Sequence, residues 1–185
     1  MGIISEKRIK LEVGELVIQS AQEEEAQEII EFNKWVEGET DFLVRIPGEF
    51  KINITEKRTY IRRKREDEKR LLLTGRINGD LAAVLSFKPE EYCRYKHQGQ
   101  MGMAVKRKYW GYGVGKSLLG IFLRWAFGVG IGKIILRVDE ENLRAIKLYQ
   151  SFGFFKEGLL TKSKHMGCGQ YRDELIMALF FPENL

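Results

Sequence analysis

Three glycines at alternate positions, Gly111, Gly113 and Gly115, lead into an apolar, helix-forming run that starts near Val114. Glycine ahead of a helix lets the chain turn so that several N–H groups face one point. Those groups have no partner inside the helix, and the macrodipole adds partial positive charge there. The segment AVKRKYWGYGVGKSLL (104–119) is therefore suited to hold an anion, a phosphate above all. Lys106, Arg107, Lys108 and Lys116 add charge around it.

Spacing decides which phosphate chemistry is excluded. Gly115-Lys116-Ser117 has the ending of a nucleoside-triphosphate loop, but the first glycine of that motif would fall on Trp110. A dinucleotide fingerprint read from Gly111 needs glycine at Lys116, and read from Gly113 it needs glycine at Leu118. Both readings fail.

The elements around this loop follow from periodicity. Residues 11–19 read as a strand, and 21–37 as an acidic amphipathic helix with Ala26, Ile29, Ile30, Asn33 and Trp35-Val36 on its apolar stripe. Residues 38–54 look irregular, with a turn at Pro47-Gly48. Residues 55–69 read as a charged helix with Thr55 as N-cap and no capping box, because Arg58 stands three residues on. Between 55 and 70 there are eight basic and four acidic side chains. That mixture predicts a solvated face laced with ion pairs rather than a nucleic-acid surface, since no aromatic array accompanies it.

LLLTGRI (71–77) and LAAVLSF (81–87) flank Asn78-Gly79 and predict a hairpin. The second of these strands is apolar on both faces, as in a strand covered on both sides. A further strand, His97 to Val105, contains Gly99 and Gly102 and leads to the glycine loop. A helix to about Phe127, a strand 133–139, a helix 143–152 capped by Asn142 and ended by Gly153, and two last strands up to Cys168 and over 171–181 complete the chain. The order β-α-α-β-β-β-α-β-α-β-β describes an α/β domain with a mixed central sheet of about six or seven strands flanked by helices. One domain is expected over residues 1–185, its core about 11–181.

With 185 residues, 44% hydrophobic and 31% charged, the chain can bury a substantial core and is not disordered. No apolar run approaches the length needed to span a bilayer, and the charged start lacks the apolar core of an export signal. Two cysteines, Cys93 and Cys168, make no disulfide framework, and two histidines make no zinc site. The expectation is a cytoplasmic protein with no metal and no membrane partner. The net charge of +5 suits an anionic ligand.

The stretch VKRKYWGYGVGKSLL resembles the acetyl-CoA loop of the GNAT superfamily of N-acetyltransferases. That family's pattern, Gln or Arg, two residues, Gly, any residue, then Gly or Ala, falls on Trp110-Gly111-Tyr112-Gly113-Val114-Gly115, with Trp110 as its departure. The family reads that position largely through its backbone N–H. VDEENLRAIKLYQSFGF (138–154) with Lys156-Glu157-Gly158 is similar to the family's second conserved block, and DELIMAL (173–179) to its closing strand.

The resemblance implies acetyl-CoA as co-substrate and direct transfer of acetyl to a primary amine of a small molecule or protein. It implies cofactor binding by Met103, Ala104, Val105, Trp110, Gly111, Tyr112, Gly113, Val114, Gly115, Lys116, Asn142 and Tyr149. Met103-Ala104-Val105 would pair with the pantetheine amides, and Lys106, Arg107 and Lys108 are available for the 3′-phosphate. Tyr149 is the expected general acid, with Asn142 hydrogen-bonding cofactor or water; Cys93 and Cys168 are bystanders. For the general base His97, Glu49, Glu91 and Glu174 stay open. Acceptor specificity is expected in residues 38–65 and 160–170. A non-catalytic acyl-CoA-binding module on the same fold is the alternative, and a homodimer is left open.

Overall fold

The computed structural model describes residues 2–184. The chain divides into two compact units, Met1–Lys88 with Met103–Val129, and Pro89–Gly102 with Gly130–Leu185.

The first unit begins with an antiparallel pair, β1 (Lys7–Leu11) and β2 (Gly14–Ser20), in register from Lys7 opposite Ile18 to Leu11 opposite Gly14. The strand expected over 11–19 covers β2 up to Gln19 and only the last residue of β1. β1 carries Lys7, Arg8 and Lys10 on an edge whose side chains are mostly exposed, so it shows no apolar alternation to read. Helix α1 (Ala26–Glu37) follows a short 3-10 turn whose Glu25 carboxylate accepts the Gln22 N–H at 2.7 Å. Ala26, Ile29, Ile30, Phe32 and Val36 are buried. Trp35, expected on that stripe, is 64% exposed and donates its indole N–H to Glu39 at 2.7 Å. At 100° per residue it lies about 120° from the stripe that Ile29 and Val36 define.

Helix α2 (Ile54–Glu66) is capped by Asn53, not Thr55. The Asn53 side chain accepts the Glu56 N–H and the Glu56 carboxylate accepts the Asn53 N–H, both at 2.9 Å, which is a full capping box. Arg62 forms the expected surface pairing, forked onto Glu23 at 2.7 and 2.9 Å. Lys57 and Lys64 do not. They share the inward face with Ile61 and are 6% and 3% exposed, so the helix is not solvated all round its charged circumference.

Strands β3 (Leu71–Ile77) and β4 (Asp80–Pro89) form the hairpin the Asn78-Gly79 pair predicted. Both turn residues have positive φ, 49° and 87°, as a type I′ turn requires. β4 is buried on both faces from Leu81 to Leu85, in agreement with its two-sided apolar sequence. Helix α3 (Val114–Gly128) packs so near β3 that a Cβ on Gly75 would stand 2.8 Å from Leu118. Phe87, Phe122 and Trp125 add aromatic contacts at 5.3 to 6.1 Å.

Strand β5 (Gln98–Val105) passes from the second unit into the first. In the second unit, Gln98–Gln100 run parallel to Lys133–Ile135 of β6 (Lys133–Asp139). β6 pairs antiparallel with β8 (Gln170–Phe180), and β8 with β7 (Phe155–Gly167). Helix α4 (Leu143–Gln150) follows β6. The mixed sheet has eight strands in the order β1-β2-β3-β4-β5-β6-β8-β7. The strand beyond the expected six or seven is β1.

Lys64 gives the fold a pH signature. Its ammonium donates to the Phe87 carbonyl and to Ser86 Oγ at 3.1 Å, and burial, helped by Arg70 and Lys88, lowers its pKa from 10.5 to about 7. The unfolded chain therefore keeps a proton that the folded chain releases between those values, so stability rises with pH across that window. In urea denaturation, moving from pH 7 to pH 9 should add about 2 kcal/mol to the native protein relative to Lys64→Met. Parallel pH profiles for the two proteins would contradict this placement of Lys64.

Candidate active site

The glycine loop is clamped from behind by one carboxylate. Asp80, the first residue of β4, accepts Lys106 Nζ at 2.8 Å, Lys108 Nζ at 3.0 Å and the Tyr109 hydroxyl at 2.9 Å. Burial raises the Asp80 pKa, but these hydrogen bonds outweigh it and hold the carboxyl at about 2. Lys106 and Lys108, which the sequence left available for a 3′-phosphate, are thus engaged within the protein. Arg107 lies 5.7 Å above the Trp110 ring, and its backbone N–H donates to Glu39 at 2.8 Å. Trp110 donates its indole N–H to the Val105 carbonyl at 2.6 Å and its backbone N–H to Arg107 at 3.1 Å. Both of its donors serve to brace the loop.

Beyond this brace the backbone opens. Gly111 and Gly113 have φ of 88° and 82°, a region other residues enter at a cost. A Cβ on Gly111 would meet nothing within 4 Å, so backbone conformation and not crowding within the chain demands glycine there. Gly113 is the N-cap of α3, and helical bonding begins with the Ser117 N–H to the Gly113 carbonyl at 2.9 Å. The N–H groups of Val114, Gly115 and Lys116 precede that first bond and stand at the positive end of a fifteen-residue helix. Val114 is buried and fixes the first turn; Gly111, Tyr112 and Lys116 are exposed beside it. Such an arrangement of unpaired N–H groups at a helix start can hold an anion such as a phosphate.

Met103, Ala104 and Val105 are half-buried and lie outside the ladder that Gln98–Gln100 make with β6. Ala104 packs on a cluster containing Ile29, Phe32, Ile61, Leu72 and Val84.

In the second unit, the turn before α4 is organised by Asp139, 1% exposed. Its carboxylate receives Lys164 at 2.9 Å and the Glu141 N–H at 3.0 Å, and its carbonyl receives the Asn142 N–H at 2.9 Å. Asn142 caps α4 by accepting the Ala145 N–H at 3.2 Å. Tyr149 is the buried residue of α4, with Phe154 at 5.7 Å between ring centroids. Burial alone pushes its hydroxyl up to about 12. Of the open base candidates, Glu174 is buried and accepts the Ser163 hydroxyl, Glu49 accepts the Ile46 N–H at 3.2 Å, and His97 and Glu91 are exposed. Among the described residues no group of three or more His, Cys, Asp or Glu side chains is placed to hold a metal, and no helix is long and apolar enough to cross a membrane. The organising roles of Asp80 and Asp139 were not legible in the sequence, since their partners Lys106, Lys108, Tyr109 and Lys164 are distant along the chain.

The family model for the acetyltransferase (GNAT) family matches residues 31–154, and the chain belongs to that family. It is similar to the GNAT-family acetyltransferase of Streptococcus pneumoniae, with 26% identity and a TM-score of 0.87 over 90% of this chain and 99% of that one. It shares its fold with yncA of Salmonella typhimurium, solved with its cofactor acetyl-CoA, at 17% identity and a TM-score of 0.78 over 89% of this chain and 93% of that one. RimJ of Mycobacterium smegmatis, in complex with CoA-disulfide, also shares it, at 17% identity and 0.76 over 99% and 91%. Over 47 residues the chain is 38% identical to an uncharacterized protein of Methanocaldococcus jannaschii, a match spanning 25% of this chain and 10% of that protein. The family's acetyl donor is acetyl-CoA.

Gly113→Ala should destabilise the protein by about 1–2 kcal/mol in chemical denaturation, because a Cβ is placed in left-handed backbone. Its affinity for acetyl-CoA should fall further than its stability. Full affinity and full stability in this variant would show that the loop does not need its left-handed turn.

Proposed function

We propose that the protein is an acetyl-CoA-dependent N-acetyltransferase that passes acetyl directly to a primary amine of a small molecule or a protein. The observation that carries this reading is the set of N–H groups at residues 114–116, presented by two left-handed glycines in a chain of the GNAT family. In this reading Gly111 to Lys116 bind the pyrophosphate, and the backbone of Met103, Ala104 and Val105 aligns the pantetheine amides. Trp110 acts through its brace on Val105. The co-substrate supplies a thioester whose carbonyl the amine attacks.

Tyr149 is the proposed acid and Asn142 its neighbour at the helix start. With a hydroxyl pKa near 12 Tyr149 is neutral at every physiological pH. A departing thiolate has a pKa near 8.5, so complete proton transfer from this tyrosine is uphill by about 3 to 4 pKa units, or roughly 5 kcal/mol. Its role is therefore to donate a hydrogen bond to the sulfur while water completes the protonation. Neither cysteine enters: both are exposed and free.

Calorimetric titration with acetyl-CoA should show saturable binding, and an amine panel should yield acetyl-CoA-dependent thiol release. Folded protein that binds no acetyl-CoA would sink the proposal, whereas binding without transfer to any amine would favour an acyl-CoA-binding module. Tyr149→Phe should lower kcat roughly tenfold or more with little effect on cofactor affinity. An unchanged kcat removes Tyr149 from the chemistry.

A further inference from the structure

Lys57 is a buried cation without an anion. It lies on the inward face of α2 and is 6% exposed. Its ammonium stands 5.8 Å from the Phe50 ring centroid and 5.1 Å from that of Tyr60, and makes no hydrogen bond or ion pair among the described residues. Two aromatic faces replace only part of the hydration that burial removes from an ammonium ion. The neighbouring charges do not supply the rest. Arg45, whose guanidinium lies 4.7 Å from the centroid of the same Phe50 ring, is bonded to Glu37 at 2.6 Å and so is already balanced. The second oxygen of Glu37 is buried with no hydrogen bond, and it too leaves Lys57 unpaired. Arg45 also opposes the Lys57 charge, which adds to burial in lowering its pKa to about 8.

The contrast with Lys64 on the same face is informative. There the ammonium is satisfied by the Phe87 carbonyl and Ser86, and Tyr60 donates or accepts with the same Ser86 hydroxyl at 2.9 Å. Lys64 is built into the fold. Lys57 has the aromatic frame but lacks the oxygen. Its position is also specific: Ile61, one turn on and about 6 Å along the axis, packs in the same buried cluster as Ala104. Lys57 thus sits on the face of α2 that carries a member of the cluster on which Ala104 packs, at the edge of the irregular segment 38–53.

We propose that Lys57, framed by Phe50 and Tyr60 beside Arg45, receives the carboxylate of the acceptor, so that the acceptor is a small amine carrying a carboxylate, such as an amino acid. This rests on the acetyl-transfer reading above. The charge count selects the class. Glu37 cancels Arg45, leaving a surplus of one positive charge, which a singly charged carboxylate balances and a phosphate dianion overfills. A buried, framed ammonium also admits a compact group more readily than an extended acidic surface.

The test separates this inference from its foundation. Acetyl-CoA binding is measured first for the native protein, Lys57→Met and Lys57→Gln; loss of binding in the native protein overturns the transfer reading itself. Thiol release is then followed with L-amino acids, each beside its carboxamide and its decarboxylated amine. The carboxylate forms should be preferred at least tenfold in kcat/KM. Lys57→Met should raise KM for them at least tenfold with acetyl-CoA affinity unchanged, and Lys57→Arg should restore part of the loss.

A measurement without turnover runs in parallel. Sodium propionate should raise the thermal midpoint of the native protein above propionamide and sodium chloride at equal ionic strength, and should not do so in Lys57→Met or Lys57→Gln. Without ligand, Lys57→Met should be at least as stable as the native protein, because it removes an unpaired buried charge. Equal use of acids and amides, or no propionate effect, or stabilisation by inorganic phosphate but not propionate, would overturn the proposal. So would a large loss of stability in both variants, which would mark Lys57 as a structural cation.

Discussion

The free N–H groups at the start of α3 set the terms for the first unit. A helix end is useful to an anion only if it cannot drift, and only if nothing within the protein satisfies it first. Val114 is buried in the first turn, and Leu118 in the second closes on Gly75 so tightly that a side chain there would collide. On the approach, Asp80 gathers Lys106, Lys108 and Tyr109, and Trp110 ties itself back to Val105. Lys106, Lys108, Tyr109 and Trp110 use their side-chain donors within the protein, while the Arg107 guanidinium lies over the Trp110 ring. Lys106 and Lys108 thus support the loop, and in the proposed acetyl-CoA site the peptide groups and the helix field would supply the attraction for the anion.

Position along the chain explains what could be read from residues alone. The glycine spacing, the Asn78-Gly79 turn and the Asn142 cap are local: each needs only its own few residues to declare a backbone conformation, and each is found where it was expected. Two-sided burial of β4 was equally legible, because apolar residues on both faces have one explanation. The failures are edges and partners. β1 is an exposed edge strand whose ladder to β2, not its composition, makes it a strand. The cap of α2 moved to Asn53 because a reciprocal box with Glu56 outcompetes a single Thr55 oxygen. Lys106 and Lys108 looked free because Asp80 is 26 and 28 residues away.

The helix α2 shows why charge composition misleads. Arg62 reaches outward to Glu23, and a count of bases and acids treats the lysines of the helix as the same kind of residue. Lysine differs in two respects: its ammonium can be tucked along an apolar stem, and it can give up its proton when buried. Lys57 and Lys64 use both properties at i and i+7 on the face that also carries Ile61. A fold that only sought stability would place aliphatic residues at these positions, since an unpaired buried charge opposes folding. Lys64 recovers part of that cost through the Phe87 carbonyl. Lys57 does not, and a residue kept at such a cost points to an occupant that the chain does not itself supply.

The same principle, burial used to set protonation, appears at Tyr149 with the opposite consequence. At a lysine, burial favours the neutral base and so weakens a charge; at a tyrosine it favours the neutral acid and so preserves a donor. Tyr149 has no charged neighbour shifting it, only the loss of water around its ring and hydroxyl. Such a group is a poor proton source in the ground state and a constant hydrogen-bond donor. That suits a step in which negative charge grows on sulfur, because the bond strengthens as the charge develops and need not be strong before. An acidic tyrosine would risk ionising beside a thioester and repelling the charge it has to stabilise. In the proposed transfer step, burial thus keeps Tyr149 a neutral donor, and a substitution that strips the packing from its ring works against that role even when the hydroxyl itself is untouched.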